Sequence, residues 1–420
     1  MDLSRRKFIK GTATGAAGTA LAGSVLAGGE RADAATLSDA ATLSDAATLS
    51  DAAQRASYPF HGARQSGVLT PGPATKQAFT CVAAFDVTAD GLPGLLQAIT
   101  TRARFLTAGG TPPDLGVHQP PFDSDVLGPV VPADGLTVTL SVGSSLFDDR
   151  FGLSDRQPNK LRQMPIFPND SPEDAWLGGD LLVQLCANHP DTIHHALRDI
   201  TKHAGEFMDL RWKIAGFASP PRPSGTGRNL LGFKDGTANP VGTAASNLVW
   251  VDDPAEPDWA QNGSYLVVRL ITMLLESWDQ VSAYKQQRIL GRQKDSGAPL
   301  GASGEFDPPN YKADPGGKVV PLDAHMRLAN PDTPQTDNQR LIRRSYNYDL
   351  GIDRDGNMQA GHIFLAYQQD VERQFATVQR RLIGEPLAQF VVPFGGGYFF
   401  TLPGVRTHGD WYGKDLLAQA

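Results

Sequence analysis

The chain has 420 residues, 40% of them hydrophobic and 20% charged, a globular composition with ample apolar material for a large core. A formal charge of −7 and a pI near 5.7, with no Lys/Arg cluster beyond the N-terminus, argue against a nucleic-acid binder, which needs a basic surface to displace counterions. The length fits two or three domain-sized units, or one domain built by duplication.

The N-terminus, SRRKFIKGTATGAAGTALAGSVLAGG, pairs Arg5 with Arg6 ahead of a weakly apolar run from Gly11 to Gly28. That run is shorter and less hydrophobic than a membrane span. Ala32-Asp33-Ala34 offers a small-residue cleavage site. Residues 1–34 thus read as a twin-arginine (Tat) signal, with export to the periplasm or the extracellular side of the envelope. ATLSDA then repeats three times, Ala35 to Ala52. Small and polar repeats cannot bury a core, so 35–57 reads as a linker and folded sequence begins near Tyr58. The only cysteines, Cys81 and Cys186, sit in apolar runs; buried free thiols are favoured over a bridge.

Two blocks of similar plan follow. In the first, AFTCVAAFDV (78–87) reads as a strand and LPGLLQAITTRARFLTA (92–108) as a helix. LTVTLSVGSSLF (136–147) alternates like a strand, LLVQLCANH (181–189) is another, 191–208 a helix, and MDLRWKIAGFAS (208–219) the closing strand. In the second, LLGFKDGTANP is followed by the strand SYLVVRLITML (264–274), a helix over 276–292, the strand GHIFLAYQQD (361–370) and a helix over 371–384. FGGGYFF (394–400) reads as a glycine-rich strand edge. The pattern predicts an α+β fold of two ferredoxin-like halves, 58–225 and 226–420, forming a sandwich or barrel. Between these elements lies a long Pro/Gly/Asp-rich stretch, Lys294 to Asn338; loops of that length are functional or disordered.

Three segments carry chemistry. In GFKDGTANP, Gly232 to Pro240, a carboxylate, Asp235, sits on a glycine-flanked turn beside apolar Leu230, Leu231 and Phe233. The turn can be a hairpin leaving a buried strand, or it can hold Asp235 over a cofactor. In DAHMRLANP, His325 is the single histidine of the long stretch. An imidazole there is a packed side chain or a metal ligand; as a ligand it needs a carboxylate behind it, for which Asp370 is available. In LIRRSYNYD, Arg343 and Arg344 are consecutive in a strand-like run and point to opposite faces. Both can lie on the surface, or one can face a cavity. The other histidines have no metal spacing, and neither a Rossmann glycine motif nor a nucleophile elbow is present.

Taken together and in this order, GFKDGTANP, DAHMRLANP and LIRRSYNY resemble the distal-aspartate, proximal-histidine and distal-arginine segments of the dye-decolourising peroxidases. The Tat signal, SGAPLG (296–301) and PFGGGYFFTLPGV (393–405) are similar to the exported EfeB-type deferrochelatase/peroxidase branch. The resemblance runs from about Gly67 to the C-terminus and implies duplicated ferredoxin-like halves in a dimeric α+β barrel-like haem peroxidase fold. It implies haem b with His325 as axial ligand, Asp235 and Arg343 on the distal face, Gly236, Thr237 and Ala238 along the haem edge, and Asn330, Pro331 and Asp332 lining the haem after His325.

The activity implied is reduction of hydrogen peroxide through a ferryl intermediate at the expense of dye-like or other organic donors. Asp235 would move the proton and Arg343 stabilise developing charge. Trp212, Trp250, Trp259, Trp278, Trp411, Tyr346, Tyr348 and Tyr398 are available as electron relays, though core packing suits most of them. The same branch implies an alternative: a deferrochelatase that releases iron from haem beside an iron-uptake permease and a partner lipoprotein. A homodimer is expected, with no membrane span in the mature protein.

Overall fold

The computed structural model describes residues 56–88 and 91–418; the expected Tat signal and the ATLSDA repeat lie outside the described residues. The first half runs β1 (Phe79–Val87), α1 (Leu92–Ala108), β2 (Thr137–Gly143), β3 (Leu181–Ala187), α2 (Pro190–Ala204) and β4 (Met208–Phe217). Its strands lie in the order β4-β1-β3-β2, all antiparallel. A short helix, α3 (Gly242–Val249), leads into the second half. There β5 (Ser264–Met273) is followed by α4 (Leu275–Asp279), α5 (Ala283–Leu290) and α6 (His325–Ala329). The chain continues through β6 (Ile342–Arg343), β7 (Tyr346–Ile352), β8 (Met358–Gln368), α7 (Thr377–Arg381) and β9 (Val391–Thr401), and α8 (Lys414–Leu417) ends it. The strand order β9-β5-β8-β7 repeats that of the first half.

The halves are joined edge to edge. β2 pairs with β9 through Ser141 and Thr401, and β4 meets β7 through Phe217 and Asn347. With β5 also bonded to β8, the sheet closes on itself as a barrel. The expected duplicated α+β architecture is present.

Closure explains why the strands read as nearly continuous apolar runs. Along β1, Val82 and Ala84 point into a barrel core shared with Leu182, Trp212, Val268 and Ile363. Cys81, Ala83 and Phe85 point outward against α1 and α2. Successive side chains alternate faces, so Cys81 and Cys186 fall on opposite faces of the sheet, both free and buried. The same core takes up Trp212, Trp250, Tyr346 and Tyr348, and Trp278 packs in the smaller cluster described below.

Three elements depart from expectation. The helix expected over 276–292 is broken into α4, which ends at Asp279, and α5, which Ser282 caps, its Oγ accepting the Lys285 N–H. The helix over 371–384 opens as a π-helical turn, Glu372–Ala376, whose first N–H groups are taken by the Asp370 carboxylate. The glycine run of β9 is interior rather than an edge. At Gly395 a Cβ would lie 2.6 Å from Trp176 Cβ, and Gly396 has φ +105°, so the 171–178 segment can lie directly against the strand.

A small apolar nucleus, Leu231, Phe233, Trp278, Ile289, Leu387 and Phe390, sits outside the barrel. It ties the GFKDGTANP segment, α4–α5 and the chain following Gly384 into one body, and so fixes both sides of the site described next.

Candidate active site

GFKDGTANP forms no strand. A single bridge, Arg228 to Lys234, is all the pairing it has, and Phe233 is buried in the small nucleus. Positive φ at Gly232 and Gly236 (+86° and +84°) turns the chain twice. Between them Asp235 N–H is tied to Gly227 O. The Asp235 carboxylate is then aimed at β6 and β8. Its Oδ1 accepts from Arg343 Nη1 at 2.7 Å, and Oδ2 lies 3.4 Å from His362 Nε2.

Arg343 is held at its backbone by the same loop. Asn239 donates its amide to Arg343 O at 2.9 Å and accepts the Arg343 N–H at 3.0 Å, as a neighbouring strand would. Arg343 and Arg344 do diverge, at a kink between β6 and β7. Arg344 is fully buried and donates to Pro71 O and Gln77 Oε1, so its work is structural.

The loop is braced from the long stretch. Glu305 Oε1 accepts from the Thr226 hydroxyl, from Thr226 N–H and from the Thr237 hydroxyl at 3.0 Å, and Oε2 faces buried Lys234 Nζ at 3.5 Å. Ala238 O accepts from Arg340. The stretch 294–338 is thus an ordered part of the site.

His325 opens α6. Its Nδ1 lies 2.8 Å from Glu385 Oε2, and the Glu385 side chain is only 7% exposed. The carboxylate behind His325 is therefore Glu385 rather than Asp370, which caps the π-helical turn and pairs with Lys160. With Nδ1 engaged, Nε2 carries no hydrogen bond among the described residues and is the nitrogen left for a metal. Asn330, Pro331 and Asp332 form the turn that ends α6, with Asn330 Oδ1 accepting the Asp332 N–H. Arg381 gathers Leu328 O and Ala329 O and anchors that end.

The electrostatics divide the site in two. Burial pulls the His325 proton affinity down, but Glu385, by charge and hydrogen bond, raises it above the usual value. Burial opposes ionisation of Asp235; Arg343, His362, Lys76 and the Gly236 N–H outweigh it and hold the carboxyl well below the usual range. Burial, reinforced by Lys76 and Arg343, pushes His362 down to about 4, so it is neutral at pH 7. The charges of Arg343 and Asp235 also reach His325, the first lowering and the second raising its proton affinity.

The donor set is informative. Among the described residues no group of three or more His, Cys, Asp and Glu could hold a bare metal ion. One imidazole backed by a carboxylate fits a metal that brings its own equatorial ligands, as haem iron does. A separate cavity of about 800 Å³ opens between residues 163–180 and Pro393–Tyr398 and contains none of these side chains.

Of the residues expected from the sequence, the structure brings Asp235 and Arg343 into contact and pairs His325 with Glu385; the partners Glu385, His362, Asn239 and Glu305 were not expected. Glu385 had one local signal, a carboxylate in IGEPL directly after a helix-ending glycine. His362, Asn239 and Glu305 had none.

Comparison with known proteins matches residues 65–218 to the N-terminal and 226–406 to the C-terminal model of the Dyp-type peroxidases. The chain is 48% identical over 371 residues to the deferrochelatase of Escherichia coli K12, covering 86% of this chain and 87% of that one. It is also 48% identical over 370 residues to that of Yersinia pestis, covering 86% and 84%. Among solved structures it is similar to a DyP-type peroxidase from Cellulomonas bogoriensis (TM-score 0.78, 33% identity, 87% and 99% of the two chains). A DyP-type peroxidase from Streptomyces coelicolor is comparably similar (TM-score 0.77, 35% identity, 87% and 98%).

Proposed function

This chain belongs to the Dyp-type peroxidase family, and on that premise we propose that it binds one haem b, non-covalently, between His325 and the Asp235–Arg343 pair. It reduces hydrogen peroxide while oxidising dye-like or other organic donors. The observation that carries this reading is a lone, carboxylate-backed imidazole within electrostatic reach of a half-buried Asp–Arg couple. Haem supplies the electron chemistry when bound; the protein supplies ligation, orientation and proton movement.

Glu385 fixes the His325 tautomer and makes Nε2 the more basic. Asp235 accepts the proton that peroxide gives up and returns it to the departing oxygen. Arg343, permanently charged, stabilises the negative charge that grows there. Asn239 and Glu305 hold these two side chains in register from behind. Gly236, Thr237 and Ala238 follow the haem edge, and Asn330, Pro331 and Asp332 line it beyond His325.

In this reading residues 1–34 are a Tat signal, 35–57 a linker and 58–225 and 226–420 the two halves. The mature protein works as a homodimer in the periplasm or at the outer face of the envelope. No described helix is long and apolar enough to cross a membrane. The name of the curated relatives, deferrochelatase, favours a second role, release of iron from haem; a place beside an iron-uptake permease and lipoprotein is the partner setting we propose for it.

The deciding experiment is an ultraviolet–visible spectrum of the mature protein and of His325→Ala, before and after one equivalent of hydrogen peroxide. Loss or displacement of the Soret band in the variant, with a peroxide-induced change in the wild type, is expected. A Soret band indifferent to the substitution overturns the ligand. A band that never responds to peroxide, with porphyrin fluorescence appearing from added haem, favours iron release.

A further inference from the structure

His362 has no part in the proton movement assigned to Asp235, yet it is 8% exposed, touches Asp235 and leaves Nδ1 without a partner. It stands on β8 directly across from Asn347 on β7. Asn347 spends both amide hydrogens, on Ser219 Oγ and Arg228 O, and leaves its own Oδ1 unpartnered. Two buried polar atoms without partners on directly opposed residues are uncommon in a folded core and call for a cause.

We propose that His362 is the second station of the distal proton relay, a neutral imidazole that shares with Asp235 the proton taken from peroxide. The inference rests on the assignment of Asp235 to the distal face and extends it. The titratable groups around Asp235 are the cations Arg343 on β6 and Lys76 ahead of β1, and His362 on β8. Arg and Lys carry donors only; a neutral His362 with its ring hydrogen on Nδ1 turns the lone pair of Nε2 toward Asp235. A proton on Asp235, pressed by two cations, therefore has one neighbour able to take it, at 3.4 Å from Oδ2.

The proton balance is closed. One O–H bond of the substrate breaks and an O–H on Asp235 or an N–H on His362 forms. That proton then returns to the departing oxygen as the O–O bond breaks; this oxygen takes the bonding electron pair and leaves as water, the other oxygen and the two-electron oxidation would be taken up by the bound haem, and the pair ends as it began. The depressed basicity of His362 suits a relay, because an imidazole that held its proton firmly would not return it. His362 acts through Asp235 and is a positioning residue.

The test compares His362→Gln, which keeps a neutral polar side chain without a comparable base, with Asp235→Asn, each as the haem-loaded protein. In the wild type, ¹³C-labelled histidine followed by NMR in the diamagnetic ferrous carbon-monoxide form should show one imidazole titrating below the usual range. Its midpoint should move lower still in Asp235→Asn, because the carboxylate favours the imidazolium. His362→Gln should keep the Soret band and slow the reaction with peroxide about tenfold or more, with an altered acid limb of the pH profile.

If His362→Gln matches wild type in rate and in pH profile while Asp235→Asn is slow, the relay role is refuted and the distal assignment stands. If neither substitution slows the reaction, the assignment of Asp235 has itself failed. A His362 midpoint indifferent to Asp235→Asn also refutes the relay, and it does so whether or not the glutamine variant folds.

Discussion

Glu385→Gln isolates the least expected contact of the site. Glu385 is 7% exposed and its Oε2 lies 2.8 Å from His325 Nδ1. A hydrogen bond to a charged partner contributes about 1.5–3 kcal/mol. At about 1.4 kcal/mol per decade that is roughly tenfold to a hundredfold in affinity, the range found for carboxylates behind metal-bound histidines. Glutamine keeps the shape and removes the charge, so the apolar contacts of Leu387 and Phe390 with Trp278 should persist.

The assay is haem transfer to an excess of apomyoglobin, with the iron–histidine stretching band of the ferrous protein as a second readout. Loss should be about 10–100 times faster and the band should fall in frequency. Asp370→Asn is the control. That carboxylate caps the π-helical turn and pairs with Lys160, so its loss should cost about 1 kcal/mol of stability and leave the stretching band unmoved. Unchanged haem retention and band in Glu385→Gln, with both altered in Asp370→Asn, would refute the reasoning.

The adjacent arginines should separate cleanly. Arg343→Leu should fold normally and lose about a hundredfold or more in peroxide reactivity. Arg344→Leu leaves Pro71 O and Gln77 Oε1 without donors and should lose about 2–4 kcal/mol in urea unfolding. Glu305→Ala takes the counter-charge from buried Lys234 and should cost about 3–5 kcal/mol; an unchanged melting temperature would show that the brace is idle. Acid sensitivity should depend on His362, whose folded value of about 4 lies below the ordinary 6.5. The unfolded chain binds the extra proton in that window, so this group's stabilisation is complete above pH 6.5 and is lost as pH falls through 4. It amounts to about 3 kcal/mol, and His362→Leu should flatten unfolding free energy against pH there.

What the sequence discloses and what it hides have separate causes. Asp235, His325 and Arg343 are legible because each lies in a short segment whose local chemistry is distinctive: a glycine corner, a lone histidine, paired arginines. Glu385 is 60 positions from His325, and Arg343 is 108 from Asp235. No local pattern reports such distances; the closure of the barrel and its register set them. His362 reads as one more scattered histidine until β8 is placed beside β7. Asn239 reads as turn chemistry until its side chain is found completing the backbone bonds of Arg343. Asp370 was plausible by type and misplaced by topology, since a strand-end carboxylate next to a helix start finds backbone N–H groups before it finds anything else.

The two halves share one strand order, so the repeated plan cannot by itself account for a site on only one of them. The asymmetry lies in the connections. Asp235 sits in the crossing from β4 to β5, while His325 and Glu305 sit in the long passage from β5 to β6. The supporting partners, His362 on β8 and Glu385 ahead of β9, and with them Arg343 on β6 alongside β8, come from or beside the repeated strands. Strands are constrained by closure on both faces, whereas loops anchored on them are free to carry chemistry. A substitution at an apolar position of the repeated strands should therefore be felt first as stability, whereas one at Asp235 in its connection or at Arg343 on the two-residue β6 should be felt first as reactivity. His362, a polar side chain on a strand, is the residue at which both should change together.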